Sequence, residues 1–215
     1  PQAKLEQEKA AVLPADKTTP LVFYCGGVTC PFSPASAAIA RDLGYTNVFV
    51  YHEGEPEWTK AGLPAYSDDD FIVNGNVVLL DIRAPQTAQN GRIKGTYNIP
   101  YDQVFDKLND VARNAPLVLY GVQEPKDIVA ELRDEGFKFV SLVKDGYEGW
   151  VKRGGAVEKG PIYNTEIRWT RQLGKGEVSL EDFRKVASGE DTSAVIVDAR
   201  TQEEVAKLGR FKHTI

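Results

Sequence analysis

The chain repeats itself, and that repeat limits its fold more tightly than any single motif. Pro20-Leu-Val-Phe-Tyr24 recurs as Pro116-Leu-Val-Leu-Tyr120, 96 residues further on. Gly44-Tyr45, Gly54 and Trp58 recur as Gly136-Phe137, Gly146 and Trp150, at an offset of 92. A third, partial copy closes the chain. There Ala194-Val-Ile-Val-Asp198-Ala-Arg200 repeats Val77-Val-Leu-Leu-Asp81-Ile-Arg83, and Gly209-Arg-Phe-Lys-His-Thr214-Ile215 repeats Gly91-Arg-Ile-Lys-Gly-Thr96-Tyr97. The apolar runs are continuous rather than alternating, as in parallel strands covered on both faces, and helix-length segments separate them. The reading is therefore α/β: two domains, each a parallel sheet flanked by helices on both faces.

In chain order, a charged helix is expected over Lys4–Leu13, ended by Pro14, with strands at Leu21–Tyr24 and Val48–Tyr51. Between them Ser33 caps a helix from Pro34 that stops at Gly44. The polar stretch Ala65–Asn76 reads as a linker or domain entry. Strands follow at Val77–Leu80, Leu117–Tyr120 and Val140–Val143, with helices at Asp102–Arg113 and Lys126–Glu135. Near the end, Ser179 starts a helix that runs through Ala187.

The third copy stops at the equivalent of position 97, where Pro1 begins by the 96 offset. The C-terminus is a front half and the N-terminus a back half. Two explanations stay open: a piece excised from a tandem array, or a permuted order whose halves assemble. Assembly is favoured, because an orphan back half leaves strand edges unpaired. The expected domains are residues 1–66 together with 166–215, and residues 67–165. The sequence contains no Met, which points to a chain that has been cut, processed or rearranged.

The unequal offsets give the first copy four more residues between strand and helix end, and these fall on Cys25-Gly-Gly-Val-Thr-Cys30-Pro-Phe-Ser33-Pro34. A glycine-rich loop running from a strand into a helix forms an anion cradle with the positive helix end behind it. A thiol held there ionises more easily, and the thiolate is the nucleophile. Cys25 is the candidate catalytic residue. In the second copy its place is taken by Gly121, and the loop shrinks to Gly121–Glu124. Trp58 and Trp150 are expected as core anchors. Composition excludes much else. The net charge of −5 gives no footprint for nucleic acid, and no apolar run is long enough to span a membrane. Two cysteines and the distant His52 and His213 build neither a disulfide scaffold nor a metal site. The histidines read as surface residues, and the charge runs Glu6–Lys9 and Asp68–Asp70 as solvated faces.

The Asp-Ile-Arg and Asp-Ala-Arg strand ends, the Gly-Arg-Ile-Lys-Gly…Ile-Pro turn, the Tyr-Cys loop and the Gly-x-x-x-Trp-x-x-Ala-Gly-Leu-Pro ending resemble the rhodanese-like sulfurtransferases. The resemblance implies a persulfide on Cys25, formed from a sulfane donor and passed to a thiophilic acceptor, with no cofactor and no metal. It implies that Gly26, Gly27, Val28, Thr29, Cys30 and Ser33 surround that sulfur. It makes Asp198 with Arg200, and Asp81 with Arg83, structural pairs, and puts Glu204 where the family often pairs a glutamate with the arginine. The loop carries no Lys or Arg, which shifts the expected donor from thiosulfate alone towards polysulfide or a protein persulfide. The partners are thus small sulfur donors and acceptors, with no nucleic acid and no membrane span. The sequence does not name a compartment; a soluble setting, bacterial-type cytoplasm or periplasm, is the expectation. Cys30 reads either as a resolving thiol or as a loop-packing residue. A non-catalytic binding module and a Cys25–Cys30 redox sensor are the competing functions.

Overall fold

The computed structural model describes residues 12–212 and Thr214, and contacts divide the chain into one unit ending at Trp169 and another beginning at Thr170. Most of the helix expected over Lys4–Leu13, and His213, lie outside the described residues. Among those described, no helix is long and apolar enough to cross a membrane.

The first unit opens with β1 (Leu21–Tyr24), α1 (Phe32–Asp42), β2 (Val48–Tyr51) and α2 (Gly54–Lys60). β1 and β2 pair in parallel, from Leu21 opposite Val48 to Tyr24 opposite Tyr51. On α1 the buried face is made of small residues, Ser33, Ser36, Ala37 and Ala40, at helical spacing. Gly44 ends the helix in the left-handed region (φ 90°) and donates its N–H to the Arg41 carbonyl. The helix begins two residues before the expected Pro34. Pro31 takes helical angles and serves as N-cap, and Pro34 falls inside the first turn, where its missing N–H costs nothing. Ser33 is thereby released from capping.

The stretch Ala65–Asn76 is more than a linker. Tyr66 makes a parallel bridge to Leu142, and Ser67 N–H donates to the Leu142 carbonyl at 3.1 Å, so the arriving chain satisfies an open strand edge. α3 (Asp69–Asn74) follows directly. Then come β3 (Val78–Asp81), α4 (Pro85–Asn90), β4 (Arg92–Ile93) and β5 (Tyr97–Asn98). A 3₁₀ turn at Tyr101–Gln103 leads into α5 (Val104–Leu108). The helix expected to reach Arg113 stops at Leu108, because the Arg113 guanidinium turns back to donate to the Leu108 and Val111 carbonyls. β6 (Leu117–Tyr120), α6 (Lys126–Asp134), β7 (Val140–Leu142), α7 (Gly146–Lys152) and β8 (Val157–Glu158) complete this part.

Four strands form one parallel sheet in the order β5-β3-β6-β7, while β4 and β8 make a separate antiparallel ribbon. β3 and β6 are buried at every position, which is what their unbroken apolar runs require. On one face Val78, Leu80, Leu117 and Leu119 pack with Val104 and Leu108 of α5 and Ile128 and Leu132 of α6. On the other, Leu79, Val118 and Tyr120 pack with Ile72 of α3 and Trp150 of α7. Helices thus cover both faces. Fully burying a side chain of this size contributes about 1.5–3 kcal/mol, so this sheet has its own core.

The second unit contains α8 (Leu180–Ser188) and α9 (Gln202–Leu208). Ser179 caps α8 by accepting the Asp182 N–H, as its sequence suggested. Ile196 bridges Thr214 in parallel, and the Phe183 and Phe211 rings meet edge to face. Val195 and Val197 are each 69% exposed, although their repeat partners Val78 and Leu80 are fully buried.

Candidate active site

β1 delivers Cys25 to the mouth of the loop, half-buried, and α1 starts seven residues later. Between them Gly27 takes φ 106°, a left-handed conformation that reverses the chain, and Cys30 N–H then donates to the Gly27 carbonyl at 2.9 Å. The reversal brings Cys30 back to Cys25, Cα to Cα 6.3 Å, and the two sulfurs are bonded to each other as a disulfide. The buried Ser33 hydroxyl lies 3.2 Å from the Cys25 sulfur, and the Cys30 carbonyl oxygen 3.5 Å from it. Gly26, on the solvent side, has open space where a side chain would be, giving a donor molecule an approach.

The back of the site is built by α2. Gly54 sits at φ 62° against Cys25, so that a Cβ there would collide with the Cys25 carbonyl oxygen. Glu55 N–H donates to that same carbonyl at 3.0 Å. Gly146 repeats the arrangement at φ 60°, with Tyr147 N–H donating to the Gly121 carbonyl at 3.4 Å. The recurrence of Gly54 as Gly146 was the available signal for this backing role, which reading the sequence alone had left unassigned.

In the second copy the last residue of the shortened loop, Glu124, is held by groups outside that loop. Asp145 N–H donates to one Glu124 oxygen at 3.2 Å, and Tyr66 O–H donates to the other at 2.8 Å, where Lys126 also approaches to 3.3 Å. Burial works to raise the Glu124 pKa, but the Tyr66, Asp145 and Lys126 contacts outweigh it and hold the carboxyl below its ordinary value. Nothing in the sequence alone marked Glu124 for this, because its main partner lies 58 residues away.

Both Asp-x-Arg pairs are formed, and in the same way. Arg83 Nε donates to Asp81 at 2.8 Å and Nη2 at 2.6 Å, with Nη2 also on the Gly91 carbonyl at 2.7 Å. Arg200 meets Asp198 at 2.9 and 2.7 Å and the Gly209 carbonyl at 2.8 Å. The Asp81 pair ties the end of β3 to Gly91, the Asp198 pair ties the residues after the Ile196 bridge to Gly209, and none of these contacts involves the cysteine loop. The Asn98 side chain adds donors to the Asp81 and Arg83 carbonyls. The Arg200 hydrogen bond holds the Asp198 carboxyl down at about 2. Glu204 forms a capping box with Thr201, and its carboxylate accepts from the Thr201 N–H and hydroxyl. That engagement lowers its pKa, with Arg200 a smaller, through-space influence.

The two tryptophans differ. Trp150 is 2% exposed and its indole N–H donates to the Ala156 carbonyl at 3.1 Å. Trp58 makes the matching bond to the Pro64 carbonyl at 2.9 Å yet is 42% exposed, so it is not the core anchor expected. It lines a largely apolar groove of about 780 Å³ with Val22, Tyr24, Tyr51, Leu63 and Tyr66. The repeat partners Val118, Tyr120 and Trp150 are covered by Leu79 and Ile93, residues of the strands and turn that precede β6. The back half starts at β1, with no such strands before it among the described residues of its unit. His52 is exposed, as expected.

A parallel α/β domain with a cysteine loop between strand and helix defines the class, and sequence comparison gives the family. The rhodanese-like domain matches residues 1–61 and again 69–153. The chain belongs to the rhodanese-like domain family. Among solved structures it is similar to a thiosulfate sulfurtransferase from Pseudomonas aeruginosa, at 20% identity and TM-score 0.42, over all of this chain and 49% of the other. It therefore spans about half the length of that enzyme. A rhodanese-like domain from Anabaena sp. matches at 26% identity and TM-score 0.35, over 49% of this chain and 99% of that one. A rhodanese-related protein from Thermoplasma volcanium matches at 20% identity and TM-score 0.39, over 44% and 97%.

Proposed function

We propose that the protein is a sulfurtransferase that carries a sulfane sulfur as a persulfide on Cys25 and delivers it to a thiol or a cyanide-like acceptor. The observation that carries this reading is the placement of Cys25 at the end of β1, facing the N-terminal end of α1, with the Ser33 hydroxyl 3.2 Å from its sulfur. Once Cys25 is reduced, its thiolate attacks the outer sulfur of the donor, and the helix end and the Ser33 hydroxyl stabilise the anionic sulfur. A helix end supplies about 0.3–1 kcal/mol towards one negative charge. With no cation in the loop, that favours a donor sulfur carrying a single negative charge, such as a protein persulfide, over the doubly charged thiosulfate. No cofactor enters the chemistry.

In the same proposal, residues 1–66 and 166–215 together make up the catalytic domain. Three things support this: the two-stranded β1-β2 sheet, the apolar groove on its face, and the exposed Val195 and Val197 of the other unit. Residues 67–165 then form the second domain, without the cysteine. Its Gly121 and the loop shortened to Gly121–Glu124 favour a second role there, that of a binding or regulatory module.

The test is thiocyanate formation by the reduced chain from polysulfide in excess cyanide. The rate should exceed that of Cys25→Ser by orders of magnitude. Equal rates in both would overturn the sulfurtransferase reading and leave the module and the redox sensor.

A further inference from the structure

We infer that the same site performs a second reaction, in which Cys30 discharges the Cys25 persulfide as hydrosulfide and leaves a Cys25–Cys30 disulfide. The inference rests on the sulfurtransferase reading for the first step and adds the product of the second. Two features carry it. The reversal at Gly27, closed by the Cys30 N–H bond to the Gly27 carbonyl, holds the two Cα atoms 6.3 Å apart. This lies within the roughly 4.4–6.8 Å that a disulfide spans, and the two sulfurs are joined, so the loop accommodates the closed form. The second copy provides the contrast. Its loop is four residues shorter and carries neither thiol, so the extra residues and both cysteines occur together.

The step balances. Cys30 thiolate attacks the inner sulfur, Sγ of Cys25. The Cys25–Cys30 S–S bond forms as the bond from Sγ to the terminal sulfur breaks, and the electron pair leaves with the terminal sulfur. That sulfur keeps its proton and departs as hydrosulfide. The sulfane sulfur is reduced by two electrons, and the cysteine pair is oxidised by two. A dithiol reductant then returns both thiols by exchange, becoming a disulfide itself. A plain carrier hands its sulfur to whatever acceptor arrives. This loop also has an internal exit, so the external partner it fits is a dithiol.

The experiment mixes reduced chain, freed of the added reductant, with an equimolar amount of glutathione persulfide, whose leaving group is a thiolate and not sulfide. Released hydrosulfide and intact protein mass are read together. The expected result is about one hydrosulfide per chain, a mass two hydrogens below the reduced chain, and a peptide linking Cys25 to Cys30. In Cys30→Ser the release should slow about tenfold or more, with the added sulfur retained on Cys25, because the intramolecular attack is lost. A wild-type chain that keeps the added sulfur and forms no disulfide overturns this inference but leaves sulfur carriage standing. A chain that takes up no sulfur, releases no hydrosulfide and forms no disulfide overturns both. The wild-type arm decides by itself should Cys30→Ser fold poorly.

Discussion

Gly54 and Gly146 serve the same purpose in the two repeats, each letting a helix press against the residue that ends a strand, but the residues they support differ. In front of Gly54 stands Cys25, in a loop long enough to fold Cys30 back onto it. In front of Gly146 stands Gly121, in a short loop that ends in Glu124, whose carboxylate accepts from the Asp145 N–H and the Tyr66 hydroxyl. The surroundings differ in the opposite sense. β6 is buried throughout, whereas β1 alternates between half-buried and exposed. The copy that keeps the cysteines is the one without a complete core in its own unit. The proposed difference in chemistry lies in the seven residues between β1 and α1.

The comparison can be broken at several points. Cys25→Ser should lower sulfur transfer by about 10³-fold or more, as removal of a nucleophile does, measured as thiocyanate formation. Gly121→Cys should restore none of it, because its loop is four residues shorter and offers neither a second thiol nor a serine hydroxyl; any gain would mean the short loop suffices. Next in size is the buried ion pair. Asp81→Asn leaves Arg83, whose side chain is 5% exposed, without its charge partner, and should cost about 3–5 kcal/mol in denaturant unfolding. Asp198→Asn should cost less, since the Arg200 side chain is 32% exposed and water can replace the lost contact.

Trp150→Ala should cost about 3–5 kcal/mol. The assembly proposed for residues 1–66 with 166–215 requires Trp58→Ala to cost nearly as much, whereas a loss under about 1 kcal/mol would leave the groove uncovered in solution. Gly146→Ala should destabilise by about 1–2 kcal/mol, the strain of a left-handed alanine, and Gly54→Ala by more, because its Cβ would also strike the Cys25 carbonyl. The smallest effect is in acid. The Asp198 pKa is depressed to about 2 from an ordinary 3.8, so its contribution is present above pH 4 and is lost as pH falls towards 2. An NMR titration of the Asp198 carboxyl should place its midpoint below that of an exposed aspartate.

Much of the fold was legible because strand and helix periods are local. The unbroken runs at Val77–Leu80 and Leu117–Tyr120 announced a sheet covered on both faces, and the strands β3 and β6 are buried throughout. The repeat showed which loop kept a cysteine. What was not legible depends on partners far along the chain. Tyr66 reaches Glu124 across 58 residues and bridges to Leu142, turning an apparent linker into a sheet edge. Trp58 carries the same local sequence signal as Trp150, but burial is decided by strands that precede each copy, not by the tryptophan. Ser33 looked like a cap, because the sequence alone does not reveal that Pro31 already takes helical angles and frees the hydroxyl for the sulfur.

The most direct test of the central claim is the intact mass of reduced Cys30→Ser chain after brief exposure to polysulfide, followed by peptide mapping. The account expects a gain of one sulfur atom, located on the peptide containing Cys25, and no gain when Cys25 is also replaced by Ser. An unchanged mass, or the same gain without Cys25, would contradict it.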